Sequence, residues 1–269
     1  MQNKIGIGLI FALIVWILLL QIVFLVEAIN PYIYLTYGET TRYLGIIYLA
    51  AMYIICAILI WTEIKDLKEF HIDKFVIVTF ILSSLFRPNL DIAGGIYFWV
   101  LIGMVGVSVG VALVIRKPKL LQTDIRWTLI ATLVGGLVVA VITFAELSLR
   151  QSWALAPLLQ NNIILTVSNL IVRELFASVL LEEILFRGFL WGYLKKLGWK
   201  DRKIFWTQGI LFWITHFGRI FTPFTFFVII PVITLISSKL ALRTKQVFPA
   251  IISHMVINIL SAMLNLATY

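Results

Sequence analysis

Two adjacent glutamates and an arginine, Glu182, Glu183 and Arg187, interrupt an otherwise apolar stretch, Leu180-Leu181-Glu182-Glu183-Ile184-Leu185-Phe186-Arg187. In the apolar segments that follow, the charge-capable side chains are His216 and His254. A charge at mid-bilayer depth costs about 2.5–3.5 kcal/mol, so a chain that keeps three side by side uses them. Carboxylates and imidazoles withdrawn from bulk water are the equipment of proton transfer. Glu183 and Arg187 are four residues apart on one helical face and can pair, which spares the arginine an unpaired charge. Glu182 lies about 100° further round the helix and is left to point elsewhere. His254 and Asn258 share a face as well, and an amide one turn from an imidazole offers donors suited to an oxyanion.

Helical rise turns these positions into depths. Measured from the basic residues at the segment ends, Glu182 and His216 each lie 13 residues in, about 20 Å, and His254 and Asn258 lie about 12 and 18 Å in. Side chains on three different segments therefore reach a similar level, which is the requirement for one buried site with a hydrated funnel opening toward the basic loops.

The elements that must position them are membrane spans. The 269 residues are 61% hydrophobic and 13% charged, with mean hydropathy +1.02. That is too apolar a composition for a soluble globule. Nine apolar segments are expected, at 5–26, 43–61, 75–86, 92–115, 127–144, 171–194, 204–217, 220–238 and 247–267, with the third the shortest. The fold expected is all-α, a polytopic transmembrane bundle of eight or nine spans. Residues 1–150 would form scaffold helices and 151–269 the catalytic core of one continuous membrane domain. The first five spans contain no Asp, Glu, Lys, Arg or His and read as scaffold and lipid-facing wall.

Sixteen of the 22 Lys and Arg fall in the N-terminus and the even connections, while the odd connections hold one each. This alternation places the N-terminus and the basic loops in the cytoplasm. The net charge of +9 thus sets topology and meets lipid headgroups; no nucleic-acid partner is expected. The stretch 62–74 mixes charged residues with Ile64, Leu67 and Phe70 and is expected to lie on the membrane surface as a helix, with His71 solvated. Arg173 and Glu174 would be charges at the outer interface. Gly135-Gly136 and Gly94-Gly95 read as close helix-packing positions. Cys56, the single cysteine, excludes an internal disulfide and reads as a small buried residue.

Glu182-Glu183-x-x-x-Arg187, followed by Phe212-x-x-x-His216 and His254-x-x-x-Asn258, resembles the CPBP (ABI) family, which includes the type II CAAX prenyl endopeptidases and bacterial relatives linked to bacteriocin processing or self-immunity. The resemblance covers about residues 170–260 and preserves motif order. It implies an intramembrane glutamic-type endopeptidase in which Glu182 acts as general base on a water also held by His216. His254 and Asn258 would stabilise the oxyanion, and Glu183 and Arg187 would support the geometry. It also implies chemistry without a cofactor. Zinc is the disfavoured alternative, since no HExxH is present and the histidines lie on separate segments.

The substrate would be a prenylated C-terminus, a secreted peptide precursor or a membrane protein, and an Ile/Leu/Lys-rich composition suits a bacterial cell membrane. The competing class is a non-catalytic regulatory or bacteriocin-immunity protein on the same fold. A proton-coupled transporter is weaker, because no repeat relates two halves of the chain.

Overall fold

The computed structural model describes residues 31–85, 125–150, 174–220 and 222–266, together with isolated positions in 6–14, 107–115 and 170–171. The expected spans 5–26 and 92–115 lie largely outside the described residues, and Gly94-Gly95 and Arg173 lie wholly outside them. Among the described residues every regular element is helical. Two of the described helices are long and apolar enough to cross a membrane, with windows at Ile125–Ile142 and Thr225–Thr244, and shorter apolar helices run over Ile47–Thr62, Lys74–Ser84 and Phe248–Met263.

Helix α1 (Pro31–Thr62) begins well before the span expected at 43–61. Proline fits that first position because its ring fixes φ and the missing N–H would have had no intrahelical partner. Helix α2 is Lys74–Leu85 and α3 is Ile125–Arg150. Helix α4 runs over 175–196 with an irregular interior. Two wide π-helical stretches, Leu175–Val179 and Ile184–Leu190, flank a single α turn, Leu180–Glu183, and Trp191–Lys196 closes it. Helix α5 is Asp201–Ile214. Helix α6 covers 225–244, α-helical from Ile230 to Thr244 after the π turn Thr225–Ile229. A short turn through left-handed Lys245 leads into α7, Phe248–Leu266.

A turn this short makes α6 and α7 antiparallel neighbours, and α3 lies against both. A Cβ added at Gly135 would come within 2.6 Å of Ile236 and Ile257, and one at Gly136 within 2.9 Å of Leu260. These glycines therefore allow the close packing expected of them. The opposite face of α3 exposes Leu129, Leu133, Leu137 and Val141, as a lipid-facing helix does.

One expectation gains detail and two are corrected. First, α1 has both a scaffold face and an exposed one: Met52, Cys56 and Ile60 are fully buried in one core with α4 residues Leu181, Leu185 and Phe189, while Ile47, Ile58 and Trp61 are exposed. Second, 62–74 is not a surface helix. It is a turn followed by one 3-10 turn, Leu67–Phe70, whose Ile64, Leu67, Phe70 and Ile72 enter the core. This strap crosses α4 where glycines leave room: a Cβ at Gly188 would lie 3.1 Å from the Phe70 carbonyl oxygen, and one at Gly192 would lie 2.9 Å from that of Glu69.

Third, His71 is buried rather than solvated, at 7% exposure. It adopts the left-handed conformation (φ 58°) that ends the strap. Its ring stands 6.0 Å from that of Trp191, and its carbonyl accepts the Val247 N–H at 2.8 Å. Lys196 Nζ ties the outside of the strap to α4, at 3.3 Å from Glu69 and 3.8 Å from Glu63 and Asp66.

Candidate active site

The α turn Leu180–Glu183 presents its two glutamates in different directions. Glu182 faces the histidines. Its Oε1 is 3.6 Å from His216 Nε2 and its Oε2 is 3.8 Å from His254 Nε2. Glu183 Oε1 lies 2.7 Å from His254 Nδ1 and 3.3 Å from Arg187 Nη1. Glu183 and Arg187 are fully buried, and Glu182 and His254 nearly so. The expected i,i+4 pair is thus present, with the addition that Glu183 holds His254 too. His254 links the two carboxylates, one through each ring nitrogen.

The arginine is held from three sides. Its guanidinium carbon stands 4.0 Å above the centre of the Phe212 ring, and Nη2 donates weakly to the Thr234 carbonyl at 3.5 Å. Cation–π contact and ion pairing together offset the desolvation of a buried charge. Phe212 also lies edge-on to Phe186, with ring centres 5.1 Å apart, so the motif phenylalanine is the floor on which Arg187 rests.

His216 is placed by the end of a helix rather than by its interior. α5 stops at Ile214, after about 21 Å of rise, and His216 precedes the 3-10 turn Phe217–Arg219 with φ −95° and ψ 17°. The last carbonyls of a helix lack intrahelical donors. Here the Phe212 carbonyl accepts from Thr215 Oγ1 and His216 Nδ1, both at 2.7 Å. With Nδ1 so engaged, His216 turns its Nε2 toward Glu182. Ring centres of Phe212 and His216 are 4.6 Å apart, as their shared face required.

Asn258 is differently engaged. Its Nδ2 donates to Glu174 Oε2 at 3.0 Å, so the half-buried Glu174 is part of the polar system rather than an isolated interfacial charge. Tyr48, on α1 and 2% exposed, lies within electrostatic reach of Glu182. Neither Glu174 nor Tyr48 was singled out as a site residue. For Glu174 the signal was available, an acid two turns from Glu182 on the same helix; a tyrosine in an apolar span carries none. Among the described residues no group of three His, Cys, Asp or Glu side chains forms a metal cage.

Residues 164–260 match the family model type II CAAX prenyl endopeptidase Rce1-like. The match begins ten residues before Glu174 and ends two beyond Asn258, so it contains every polar residue assembled around Glu182 except Tyr48. The Rce1-like family is a membrane-embedded protease family, which agrees with the motif resemblance and makes the matched segment protease-like at that level. No curated protein and no solved structure matches the chain.

Proposed function

We propose that the chain is an intramembrane endopeptidase of glutamate type, acting near the cytoplasmic side of a bacterial cell membrane. The observation that carries this reading is the convergence of both Glu182 oxygens on two imidazole Nε2 atoms from other elements, at 3.6 and 3.8 Å. Separations of this size are too long for direct hydrogen bonds and leave one water able to touch Glu182 and His216 together. Such a water donates one proton toward the carboxylate and one toward the free Nε2 lone pair of His216.

As its oxygen bonds to the peptide carbonyl carbon, its proton passes to Glu182. The carbonyl oxygen becomes an oxyanion, stabilised by N–H donors from His254 Nε2 and the second amide proton of Asn258. Nδ1–H of His254 already donates to Glu183, so Nε2–H donation requires the imidazolium form, and the two carboxylates Glu182 and Glu183 together balance the charges of His254 and Arg187. When the intermediate collapses, the C–N bond breaks and Glu182 returns its proton to the leaving amine. The substrate is a prenylated C-terminus, a secreted peptide precursor or another membrane protein. The distribution of Lys and Arg supports basic loops and an N-terminus on the cytoplasmic side, within a bundle of eight or nine spans.

Mass spectrometry of membrane peptides from cells carrying the wild-type chain or Glu182→Gln tests this. Peptides that disappear with the variant, at equal protein level, name the substrate. A Glu182→Gln chain that inserts normally and retains its full biological effect refutes catalysis and returns the function to a non-catalytic regulator or immunity protein.

A further inference from the structure

One helical turn toward the basic loops from Arg187 lies a second polar layer that the hydrolytic reading does not use. Gln208 on α5, Ser237 and Ser238 on α6 and Ser253 on α7 are all fully buried. Gln208 is seven residues from Asp201, Ser237 seven from Thr244 and Ser253 five from Phe248. All three therefore lie about 8–10 Å in from the basic helix ends, against about 14 Å for Arg187. Part of the layer is bonded internally: Gln208 Nε2 donates to Ser238 Oγ, which donates to the Thr234 carbonyl at 2.6 Å. That carbonyl is the one Arg187 Nη2 reaches, so layer and arginine are continuous.

The remainder has no partner among the described residues. Gln208 Oε1, Ser237 Oγ and Ser253 Oγ are buried without one, and so are Arg187 Nε and Nη1 and Glu183 Oε2. Nη1 is close to Glu183 Oε1 as a charge but is not aligned for a hydrogen bond. Hydroxyls in apolar helices ordinarily bond back to the carbonyl four residues earlier. Thr79, Thr234, Ser238 and Thr244 all do so here, at 2.6–2.8 Å. Ser237 and Ser253 do not.

Their faces say where they point. Ser237 is four residues beyond Ile233 and Ser253 four before Ile257, and these isoleucines pack in one cluster. Across antiparallel helices the two serines therefore face one another one turn nearer the basic end. Two hydroxyls, an amide oxygen and a guanidinium edge, all unpartnered at adjoining levels, have the donor and acceptor set of a buried water site, where each water makes about three hydrogen bonds.

We propose that this layer binds a short file of water molecules between α5, α6 and α7, linking the basic-loop end to the Arg187–Glu183 pair. Its role, replenishing the water consumed by hydrolysis, rests on the function proposed above; its hydration does not. The file also satisfies the guanidinium protons that neither Glu183 nor Thr234 takes.

Water-edited solid-state NMR on the full-length, isotopically labelled chain in liposomes tests this without any substrate. The water-to-protein signal at Ser237 Cβ, Ser253 Cβ and Gln208 Cδ is expected to build up at least about threefold faster than at the Ile233 and Ile257 methyls one turn away. In Ser237→Ala/Ser253→Ala, build-up at Gln208 and at Arg187 Cζ falls toward the isoleucine rate. Serines that build up no faster than the isoleucines overturn the proposal, and so does a double variant that leaves Arg187 unchanged. Neither outcome bears on Glu182→Gln, whose effect on peptide cleavage stands or falls separately.

Discussion

Acidification should release the strap that crosses α4, through His71. Burial, reinforced by the charge of Lys245, pushes this imidazole down to about 4 from its ordinary 6.5, against the opposing pull of the Arg187 backbone carbonyl. Above pH 6.5 the ring is neutral whether the strap is docked or free. Between 6.5 and 4 the free strap binds a proton that the docked strap does not, so docking weakens as pH falls, by about 1.4 kcal/mol per pH unit and about 3 kcal/mol in all. Asp73 and Glu63 are held above their ordinary values by burial and contribute with the opposite sign. The comparison that isolates His71 is His71→Asn, which removes the titration and keeps a residue that tolerates φ 58°. Amide hydrogen exchange, corrected for intrinsic rates, reads docking at His71, Ile72 and Val247, whose N–H groups bond to Lys68, Leu67 and His71 carbonyls at 3.1, 3.1 and 2.8 Å. Between pH 6 and 4.5 their protection should fall up to about tenfold per unit in the wild type and much less steeply in His71→Asn. Equal slopes in the two proteins would refute the reasoning.

Other consequences follow from the same contacts. Arg187→Met leaves Glu183 as a buried charge without its cation and should lower unfolding stability by about 3–5 kcal/mol, much of it recovered in Arg187→Met/Glu183→Gln, as measured by thermal unfolding in detergent. Gly192→Ala drives a methyl into the Glu69 carbonyl and the Phe70 backbone and should cost about 1–3 kcal/mol in the same assay. Glu174→Leu removes the acceptor that fixes Asn258 and should reduce turnover by about ten- to a hundredfold with KM little changed, whereas Glu174→Gln, which keeps an acceptor, stays near wild type. Chelators should leave cleavage of the identified substrate unaffected; loss restored by zinc would assign the His216, His254 and Glu182 set to a metal instead.

The convergence of Glu182, His216 and His254 was legible because ionisable side chains in apolar segments are few, and helical rise alone brings them level. The Glu183–Arg187 pair was legible for the same reason. Rotation about each helix was not. Depth places Asn258 beside the other donors, yet the direction of its amide depends on Glu174, whose own position depends on a π-helical stretch that ideal helix arithmetic omits. His216 was expected inside a helix; α5 ends two residues earlier, a detail set by capping of the Phe212 carbonyl. The strap was misread because an amphipathic pattern fits a protein groove as well as a membrane surface, and only Gly188 and Gly192, four apart, hint that a backbone lies there. Residues of common type, such as Tyr48, gain their place solely from packing and leave no mark in the sequence.

The wide turns on either side of Glu182 and Glu183 carry a consequence for insertions and deletions. Seven residues in a wide π stretch sweep about the same angle as six in α turns, so deleting one residue from 184–190 restores regular α geometry while Glu182 and Glu183 keep facing the imidazoles and Gly192 keeps facing the strap. The regular turn Trp191–Lys196 has no such slack, and a residue added or removed there would turn everything beyond it by about 100°. The wide stretch is therefore the part of this helix that should best accept a change in the number of its residues.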